Sequence, residues 1–287
     1  MAQGQLVLVA TPIGNLGDFS TRAEQALRDA DFIAAEDTRV TIKLLNRFEI
    51  KKPMISYFEH NKKLRGEEIV RRIEAGETCA LVTDAGMPAI SDPGEDLVAL
   101  CADNGIKVTI VPGPCAVVSA LAVSGLPTGR FSFEGFLSVN KKSRREHLQS
   151  VREDQRTLIF YEAPHKLRTT LDDLLAGLGD RRIALVREMT KMHEEVVRTT
   201  ISKAVEFYAQ NTPKGEFVLV VEGMIRQETE DGEENRIEQA AQLVRELVGE
   251  GMSHSEAVKT ASARLGVRKS ELYHTTLGNE NFQDIEG

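Results

Sequence analysis

The chain has 287 residues, of which 41% are hydrophobic and 28% charged, a composition typical of globular proteins with enough apolar material for a core. With 36 basic and 44 acidic residues its formal net charge is −8, which excludes indiscriminate binding to phosphate backbones through overall charge. The three cysteines form no CxxC pair, and no apolar segment approaches the ~20 residues of a membrane-spanning helix. We therefore expect a cytoplasmic protein with reduced thiols and with no metal site or membrane span.

The first part of the chain alternates short apolar segments with helical patterns. Strands are predicted at 6–10, 32–35, 79–83 and 107–111. Helices are predicted at 21–30, around 40–48, at 63–75 and at 115–124. A further helix is predicted after the loop at 84–94, ending at residue 104. Thr21 followed by Glu24 predicts a capping box at the start of the first helix. This alternation predicts an α/β sheet with helices on its faces.

Three loops of unusual glycine and proline content follow predicted strands. They are TPIGNLGD at 11–18, DAGMPAISDPG at 84–94 and PGPC at 112–115. In open α/β sheets, ligands bind at the carboxyl ends of the strands. No phosphate loop, dinucleotide fingerprint or HExxH motif accompanies the loops. From the residues alone, a site for a small polar ligand and a set of tight connections remain equally good interpretations.

The second part predicts a mixed α/β domain followed by a helical tail. Strands are predicted at 131–136, 157–161, 183–187, 195–200 and 217–221, and helices at 141–152, 166–178 and 202–210. The acidic segment 226–236 predicts a flexible linker. In the tail, Gly266 separates two short helices in a pattern that resembles a helix-turn-helix. The predicted division is 1–115, 116–225, the linker 226–236 and the tail 237–287.

The three loops together with later motifs resemble the tetrapyrrole methylase family, whose members use S-adenosyl-L-methionine. The resemblance covers about residues 5–223 and depends on the order and spacing of AEDTR (35–39), VTDAGMPAISDPG (82–94), VPGPCAVVSAL (111–121), FYEAPH (160–165), REMTK (187–191) and GEFVLVVEG (215–223). It implies a two-domain α/β fold with the cofactor in the cleft between domains, to which the tail adds a small all-α, helix-turn-helix-like domain. It also implies a homodimer.

Within that family, AEDTR, the central loop and the helical tail are similar to one branch. That branch methylates the 2′-hydroxyl of a cytidine ribose in small-subunit rRNA. The expected partner is accordingly small-subunit rRNA or the assembled small ribosomal subunit. One departure from the wider family is the sequence G-M-P at 86–88, where many relatives have G-D-P. If the aspartate side chain of those relatives makes a functional contact, this chain lacks that contact at Met87, and Asp84 is a candidate to replace it.

The resemblance implies cofactor contacts at motif positions, largely through the main chain. Loops rich in glycine suit such contacts, because the absence of a side chain lets backbone groups approach a ligand. The implied positions are Pro12, Asp84, Ala85, Gly86, Met87, Ile90, Cys115, Ala116, Glu162 and Met189.

Methyl transfer to a ribose hydroxyl requires the nucleophile to be held near the methyl group, and a general base accelerates it by typically ~10²–10⁴-fold. Candidate bases in the motif loops are Glu36, Asp37, Glu162, His165 and Lys191. For each of them, a cap, a salt bridge or a substrate hydrogen bond is favoured over the role of base. RNA contact requires local positive charge, and the candidates are Arg39, Lys62, Lys63, Lys141, Lys142, Arg144 and Arg145, with Arg264, Arg268 and Lys269 in the tail. A solvated helix face explains each basic patch equally well.

Three functions remain open at this point. The first is an rRNA ribose methyltransferase, and the second is a methylase of a tetrapyrrole of the precorrin or siroheme type. The helical tail argues against the second, because an enzyme of small molecules does not need it. The third is a non-catalytic, ligand-sensing regulator that binds nucleic acid, which predicts duplex-DNA affinity that falls steeply with salt. The many polar residues in the loops of the first domain favour an enzyme.

Overall fold

A computed structural model describes residues 4–225 and 230–277, with side chains in the second segment from residue 235 onward. The chain divides into two compact units, Met1–Met224 and Ile225–Gly287. The first unit contains two five-stranded sheets, and the second is helical. No helix in these described segments is both long and apolar enough to cross a membrane.

The first sheet is parallel throughout, with the strand order β3-β2-β4-β1-β5. Its strands are β1 (Gln5–Val9), β2 (Phe32–Ala35), β3 (Met54–Ser56), β4 (Thr78–Val82) and β5 (Lys107–Val111). The sequence shows β1, β2 and β4 as nearly continuous apolar runs, because helices cover both faces of a parallel sheet. Strand β3 was not predicted, since its three residues are too few to show a periodicity.

The helices between these strands are α1 (Thr21–Asp29), α2 (Thr38–Arg47), α3 (Lys62–Glu74) and α4 (Gly94–Asp103), followed by α5 (Ala116–Ser124). The predicted capping box of α1 is wrong by one residue. Ser20 is the N-cap, and its hydroxyl accepts a hydrogen bond from the N–H of Ala23 at 3.1 Å. A serine preceding the threonine competes for the cap position and is at least as good a capping residue.

The second sheet contains both parallel and antiparallel pairs, in the order β6-β7-β10-β8-β9. Its strands are β6 (Phe131–Phe136), β7 (Thr157–Glu162), β8 (Arg182–Arg187), β9 (Glu195–Thr200) and β10 (Phe217–Val221), and only the β6–β7 pair is parallel. Helices α6 (Lys141–Ser150), α7 (Leu167–Leu178) and α8 (Ile201–Gln210) share one core with Leu158 and Phe160. Helix α5 packs on the opposite face, where Ile159 contributes to its core.

The second unit consists of α9 (Glu230–Gly249), α10 (His254–Leu265) and α11 (Lys269–Leu277) around a small apolar core that includes Val244 and Leu272. Gly266 ends α10 in the left-handed region with φ +69°, so the predicted break between the two short helices is confirmed. The linker prediction for 226–236 is wrong from residue 230 onward, where the chain is already helical. Residues 226–229 lie outside the described residues.

Candidate functional site

A cavity of about 310 Å³ lies where the carboxyl ends of strands from both sheets meet. The first sheet supplies its loops after β1, β2 and β4, and the second sheet supplies the ends of β6, β7 and β8 and the start of β10. The lining residues are Ile13, Glu36, Thr83, Ala85, Ile90, Ser91, Asp92, Ala116, Phe136, Tyr161, Glu162, Ala163, Val186, Glu188, Met189, Lys191, Glu216, Phe217 and Val218. Both the apolar walls and the few convergent polar groups are typical of a small-molecule site.

A backbone bridge joins the first loop to the central loop. Thr11 and Gly86 exchange two hydrogen bonds, N–H of Thr11 to O of Gly86 at 2.9 Å and the reverse at 3.1 Å. Gly86 has φ +90°, and a Cβ there would lie 3.2 Å from Cγ2 of Ile13. Only glycine adopts this conformation readily and leaves that space free. The bridge therefore sets the positions of Ile13 and Ala85 on the cavity wall.

The central loop is organised around the carboxylate of Asp92. This carboxylate accepts hydrogen bonds from the N–H groups of Ala89 (3.1 Å), Ile90 (3.3 Å) and Gly94 (2.7 Å). Burial raises the pKa of Asp92. Ala89 and Ser91 have φ +66° and +69°, a region that is costly for residues with a side chain. Asp92 thus holds a strained loop against the cavity, a role that was not predicted for it from the sequence.

Glu36 lies on the cavity wall next to the start of the central loop. Its Oε2 accepts hydrogen bonds from the Thr83 hydroxyl at 2.6 Å and from the N–H of Asp84 at 3.4 Å. Within the described residues, nothing donates to its second oxygen, Oε1. Asp84 itself does not line the cavity, and its Oδ1 accepts from the N–H of Asp37 at 3.1 Å. Burial, followed by the charge of Glu36, raises the pKa of Asp84.

Asp37, another candidate base, acts as the N-cap of α2. Its Oδ1 accepts from the N–H of Arg39 at 2.8 Å, and its Oδ2 pairs with the Arg39 guanidinium at 2.6 Å. The hydrogen bonds from Arg39 lower the pKa of Asp37 to about 2. So weakly basic a carboxylate, which also lies off the cavity wall, suits capping better than proton abstraction.

Glu162 and His165 occupy contrasting positions. Glu162 is buried, and both of its oxygens are engaged, Oε1 by the N–H of Ala163 at 2.8 Å and Oε2 by the hydroxyl of Thr170. It lines the cavity but has no unpaired oxygen to receive a proton. His165 is exposed and does not line the cavity.

Lys191 is held as a cation between two carboxylates of the cavity wall. Its Nζ lies 2.9 Å from Oε1 of Glu188 and 2.8 Å from Oε2 of Glu216. Burial lowers the pKa of Lys191, but the hydrogen bonds with Glu216 and Glu188 outweigh burial and leave the pKa raised. Lys191 also lowers the pKa of Glu188. A lysine that stays protonated is suited to positioning this loop and unsuited to act as a base.

Half of the predicted cofactor positions lie on the cavity wall, namely Ala85, Ile90, Ala116, Glu162 and Met189. The other half do not line the cavity, namely Pro12, Asp84, Gly86, Met87 and Cys115. Met87 packs against the core of the first sheet and Cys115 against the core under α5. Wall residues from the second sheet, such as Phe136, Tyr161 and Val218, were not predicted from the sequence. Phe136 resembles an ordinary core position of a strand, whereas Tyr161 and Val218 lie in the motifs FYEAPH and GEFVLVVEG. Asp92 lies in a Ser-Asp-Pro-Gly sequence, which is typical of a turn.

The predicted RNA-binding residues differ in how free their charges are. Lys62 is paired with Glu59 at 2.9 Å and with Asp96 at 2.8 Å, and these hydrogen bonds raise its pKa. Arg144 is largely buried and is paired with Asp173 at 2.6 Å. The remaining candidates are exposed, namely Arg39, Lys63, Lys141, Lys142 and Arg145. Two of them have an acidic partner close in the chain, since Arg39 pairs with Asp37 and Lys142 with Glu146.

Most of the chain is similar to one known protein family. Residues 5–205 match the model for Tetrapyrrole (Corrin/Porphyrin) Methylases. The chain belongs to the tetrapyrrole methylase family. Among solved structures, diphthine synthase superposes with a TM-score of 0.60 at 15% identity, covering 76% of this chain and 90% of that one. Uroporphyrin-III-C-methyltransferase from Thermus thermophilus gives 0.54 at 16% identity, with 76% and 94% covered. These likenesses confirm the predicted fold class.

Two relatives in sequence are more similar. The ribosomal RNA small subunit methyltransferase I of Synechocystis sp. is 45% identical over 275 residues, which cover 96% of this chain and 98% of that protein. The protein of the same name from Thermotoga maritima is 48% identical over 220 residues, which cover 99% of its own length but 77% of this chain. Part of this chain therefore has no counterpart in the Thermotoga protein.

Proposed function

We propose that this chain is an S-adenosylmethionine-dependent methyltransferase that modifies the ribose 2′-hydroxyl of a cytidine in 16S, small-subunit rRNA. The observation that carries the proposal is the 45% identity, over nearly the whole chain, to a relative named as a small-subunit rRNA methyltransferase. The motifs AEDTR and DAGMPAISDPG, similar to the branch that modifies a cytidine ribose, support the finer assignment. We further propose that the enzyme is a cytoplasmic homodimer.

Several properties of the cavity support S-adenosylmethionine as its ligand. Its volume of about 310 Å³ falls within the range of roughly 300–1,000 Å³ that is usual for small-molecule sites. Ile13, Ile90 and Met189 offer apolar contacts to such a ligand. The carboxylates of Glu36 and Asp92 favour a cationic ligand. When bound, S-adenosylmethionine supplies an electrophilic methyl carbon on a positively charged sulfur.

Glu36 is the residue that we assign as proton acceptor for the ribose hydroxyl. It lies on the cavity wall, and no described group donates to its Oε1. The competing candidates are less suited to accept a proton, since Lys191 is a paired cation, Glu162 has both oxygens hydrogen-bonded and Asp37 caps α2. The hydroxyl proton leaves as its oxygen is methylated, so a carboxylate with an open oxygen is the group best suited to receive it.

The decisive experiment measures tritium transfer from methyl-labelled S-adenosylmethionine to purified small ribosomal subunits and to naked rRNA, followed by digestion to nucleosides. We expect label in 2′-O-methylcytidine. Absence of label from both RNAs, with cofactor binding intact by calorimetry, would favour the tetrapyrrole methylase. Absence of both transfer and cofactor binding would favour the non-catalytic regulator.

The same assay tests the role of Glu36. The variant Glu36→Gln should bind the cofactor and transfer methyl groups ~10²–10⁴-fold more slowly than the parent. Asp37→Asn is the matched control, because it changes the adjacent carboxylate, which lies off the cavity wall, and should keep the parental rate. Equal rates for Glu36→Gln and the parent would rule out Glu36 as the proton acceptor.

A further inference from the structure

Strand β6 contains a bulge immediately before the cavity. Phe133 pairs with Ile159 of β7, but Gly135 pairs with the next residue, Phe160, so that Glu134 is the extra residue. Gly135 has φ +65°, the left-handed conformation that glycine adopts without a steric penalty. Such bulges redirect side chains and occur often next to active sites.

The bulge decides which face of the sheet Phe136 occupies. In a regular strand, residues three apart point to opposite faces. After the bulge, Phe136 pairs with Tyr161 and shares the face of Phe133 and Tyr161. The ring centroids of Phe136 and Tyr161 are 5.4 Å apart in an edge-to-face arrangement, and both residues line the cavity. The bulge thus moves Phe136 from the face covered by α6, α7 and α8 to the face of α5, where it lines the cavity.

Phe136 remains 55% exposed although it lines the cavity. An aromatic ring fixed on one edge and open on the other is a surface for stacking. Its position is held by the following turn, in which the Arg144 guanidinium donates to the carbonyls of Ser138 at 3.0 Å and Val139 at 3.2 Å. Arg144 in turn pairs with Asp173 of α7. The segment that follows the ring is therefore bonded to α6 and, through Arg144, to α7.

Positive charge follows the ring directly in the chain. Lys141 and Lys142 begin α6 five and six residues after Phe136, and Arg145 lies on the next turn. All three side chains are exposed, and among the described residues only Lys142 has an acidic partner, Glu146, at 3.8 Å. Proteins that bind single-stranded RNA combine aromatic rings that stack on bases with basic side chains that contact phosphates.

We propose that Phe136 is a positioning residue on which the unstacked base of the target nucleotide stacks, so that its ribose reaches the cavity. The proposal rests on the proposed function and specifies how that function recognises RNA. A ribose inside a duplex cannot enter a cavity of this kind, so the nucleotide has to leave its stack. The exposure of the ring favours a base that arrives from solvent over the adenine of a cofactor enclosed in the cleft.

The test compares Phe136→Ala, Phe136→Leu and Phe136→Trp in the full chain. Phe136→Ala and Phe136→Leu should lower kcat/KM for small ribosomal subunits about 5- to 100-fold, mainly through KM, because base–aromatic stacking is lost. Phe136→Trp should retain activity. The affinity for S-adenosylmethionine, measured by calorimetry, should change far less than the KM for subunits in all three.

Phe207→Ala is the matched control. Phe207 is also 55% exposed and lies 5.0 Å from a tyrosine ring, that of Tyr208, but it does not line the cavity. It should keep the parental kcat/KM. Full activity of Phe136→Ala or Phe136→Leu would overturn the stacking role, and so would a parallel loss of cofactor affinity, which would assign the ring to the cofactor. If the parent itself transfers no methyl group to RNA, the proposed function fails, whereas parental transfer with an unaffected Phe136→Ala overturns the stacking role alone.

Discussion

Gly86 and Asp84 lie two residues apart in the central loop, and different physical effects constrain them. At Gly86 the constraint is steric, because φ is +90° and the Thr11 bridge leaves no room for a branched side chain beside Ile13. At Asp84 the constraint is electrostatic, because burial and the neighbouring Glu36 both disfavour the ionised carboxyl. Each effect leads to a separate prediction.

Replacing Gly86 with valine should abolish cofactor binding while leaving the protein folded. The branched side chain can neither adopt φ +90° without strain nor avoid Ile13, so the bridged loops have to separate. Calorimetry with S-adenosylmethionine and circular dichroism measure the two effects. Gly105→Val is the control and should keep cofactor affinity, since Gly105 also has positive φ, +65°, but a Cβ there would meet none of the described atoms within 4 Å. Unchanged affinity in Gly86→Val would refute the assignment of this loop.

Asp84→Asn should raise the melting temperature at neutral pH, and the gain should disappear as the pH falls. A carboxyl whose pKa is raised in the folded state destabilises the fold when ionised, and the penalty vanishes once both folded and unfolded forms are protonated. Asn also keeps an oxygen for the Asp37 N–H. Thermal unfolding of variant and parent across acidic and neutral pH tests this, and a gain that is independent of pH would contradict it.

Asp37→Asn should change the melting temperature in the opposite direction. The pKa of Asp37 is lowered from 3.8 to about 2 by Arg39, so its ionised form stabilises the fold above pH 3.8. This contribution is lost as the pH falls from 3.8 through about 2. Asp37→Asn should therefore melt below the parent at neutral pH and approach it in acid. Thermal unfolding over the same pH series measures the difference, which should be small because Asp37 pairs with a guanidinium that is largely exposed.

Among the secondary-structure elements and their connections, the central loop between β4 and α4 determines much of the cavity wall. Ile90, Ser91 and Asp92 all line the cavity, and the loop contains two non-glycine residues with positive φ. Strain of this kind persists only where surrounding contacts impose it. The three hydrogen bonds to Asp92 are the contacts that impose it here.

Asp92→Ala should destabilise the observed conformation of the central loop. Loss of the acceptor leaves three N–H groups without their partner, and we expect the free energy of unfolding to fall by about 1–3 kcal/mol. Cofactor affinity should fall as well, because Ile90 and Ser91 leave their positions on the wall. Denaturant unfolding and calorimetry measure these effects. Asp92→Asn keeps one acceptor oxygen and should lie between parent and Asp92→Ala; affinity equal to the parent in Asp92→Ala would show that the loop holds its shape without this carboxylate.

Across the chain as a whole, the two sheets and the cavity belong to one compact unit, Met1–Met224. The second unit, Ile225–Gly287, has a core of its own. The Thermotoga relative aligns over 99% of its own length but over only 77% of this chain. Part of this chain therefore has no counterpart in that protein. All residues that line the cavity lie in the first unit.

Ending the chain after Met224 should leave cofactor affinity unchanged and weaken binding to RNA. Every residue on the cavity wall is retained, while Arg264, Arg268 and Lys269, basic residues of the second unit, are removed. Calorimetry with S-adenosylmethionine and filter binding with rRNA measure the two affinities. Equal loss of both would mean that the second unit is needed for the fold of the first.

Local sequence patterns were enough to predict an α/β protein and most element positions, whereas the two-domain fold and the loops of the site were inferred from the resemblance to a family. Examples of such patterns are the apolar runs of β1 and β4 and the left-handed Gly266 at the end of α10. A capping residue such as Ser20 was misplaced by one position, because adjacent hydroxyl residues offer the same chemistry. The three-residue strand β3 was missed, because its pairing with β2 and not its own sequence makes it a strand.

Tertiary contacts determine which side chains meet at the cavity and what each one does there. The ammonium of Lys191 is held on the cavity wall in part by Glu216, 25 residues away, and Phe136 lines the cavity because a bulge changes its face of the sheet. Glu36 lies on the cavity wall and accepts from the Thr83 hydroxyl, 47 residues away, whereas the neighbouring Asp37 lies off the wall and caps α2. Such relations join residues distant in the chain, and neither periodicity nor motif spacing encodes the distances between them.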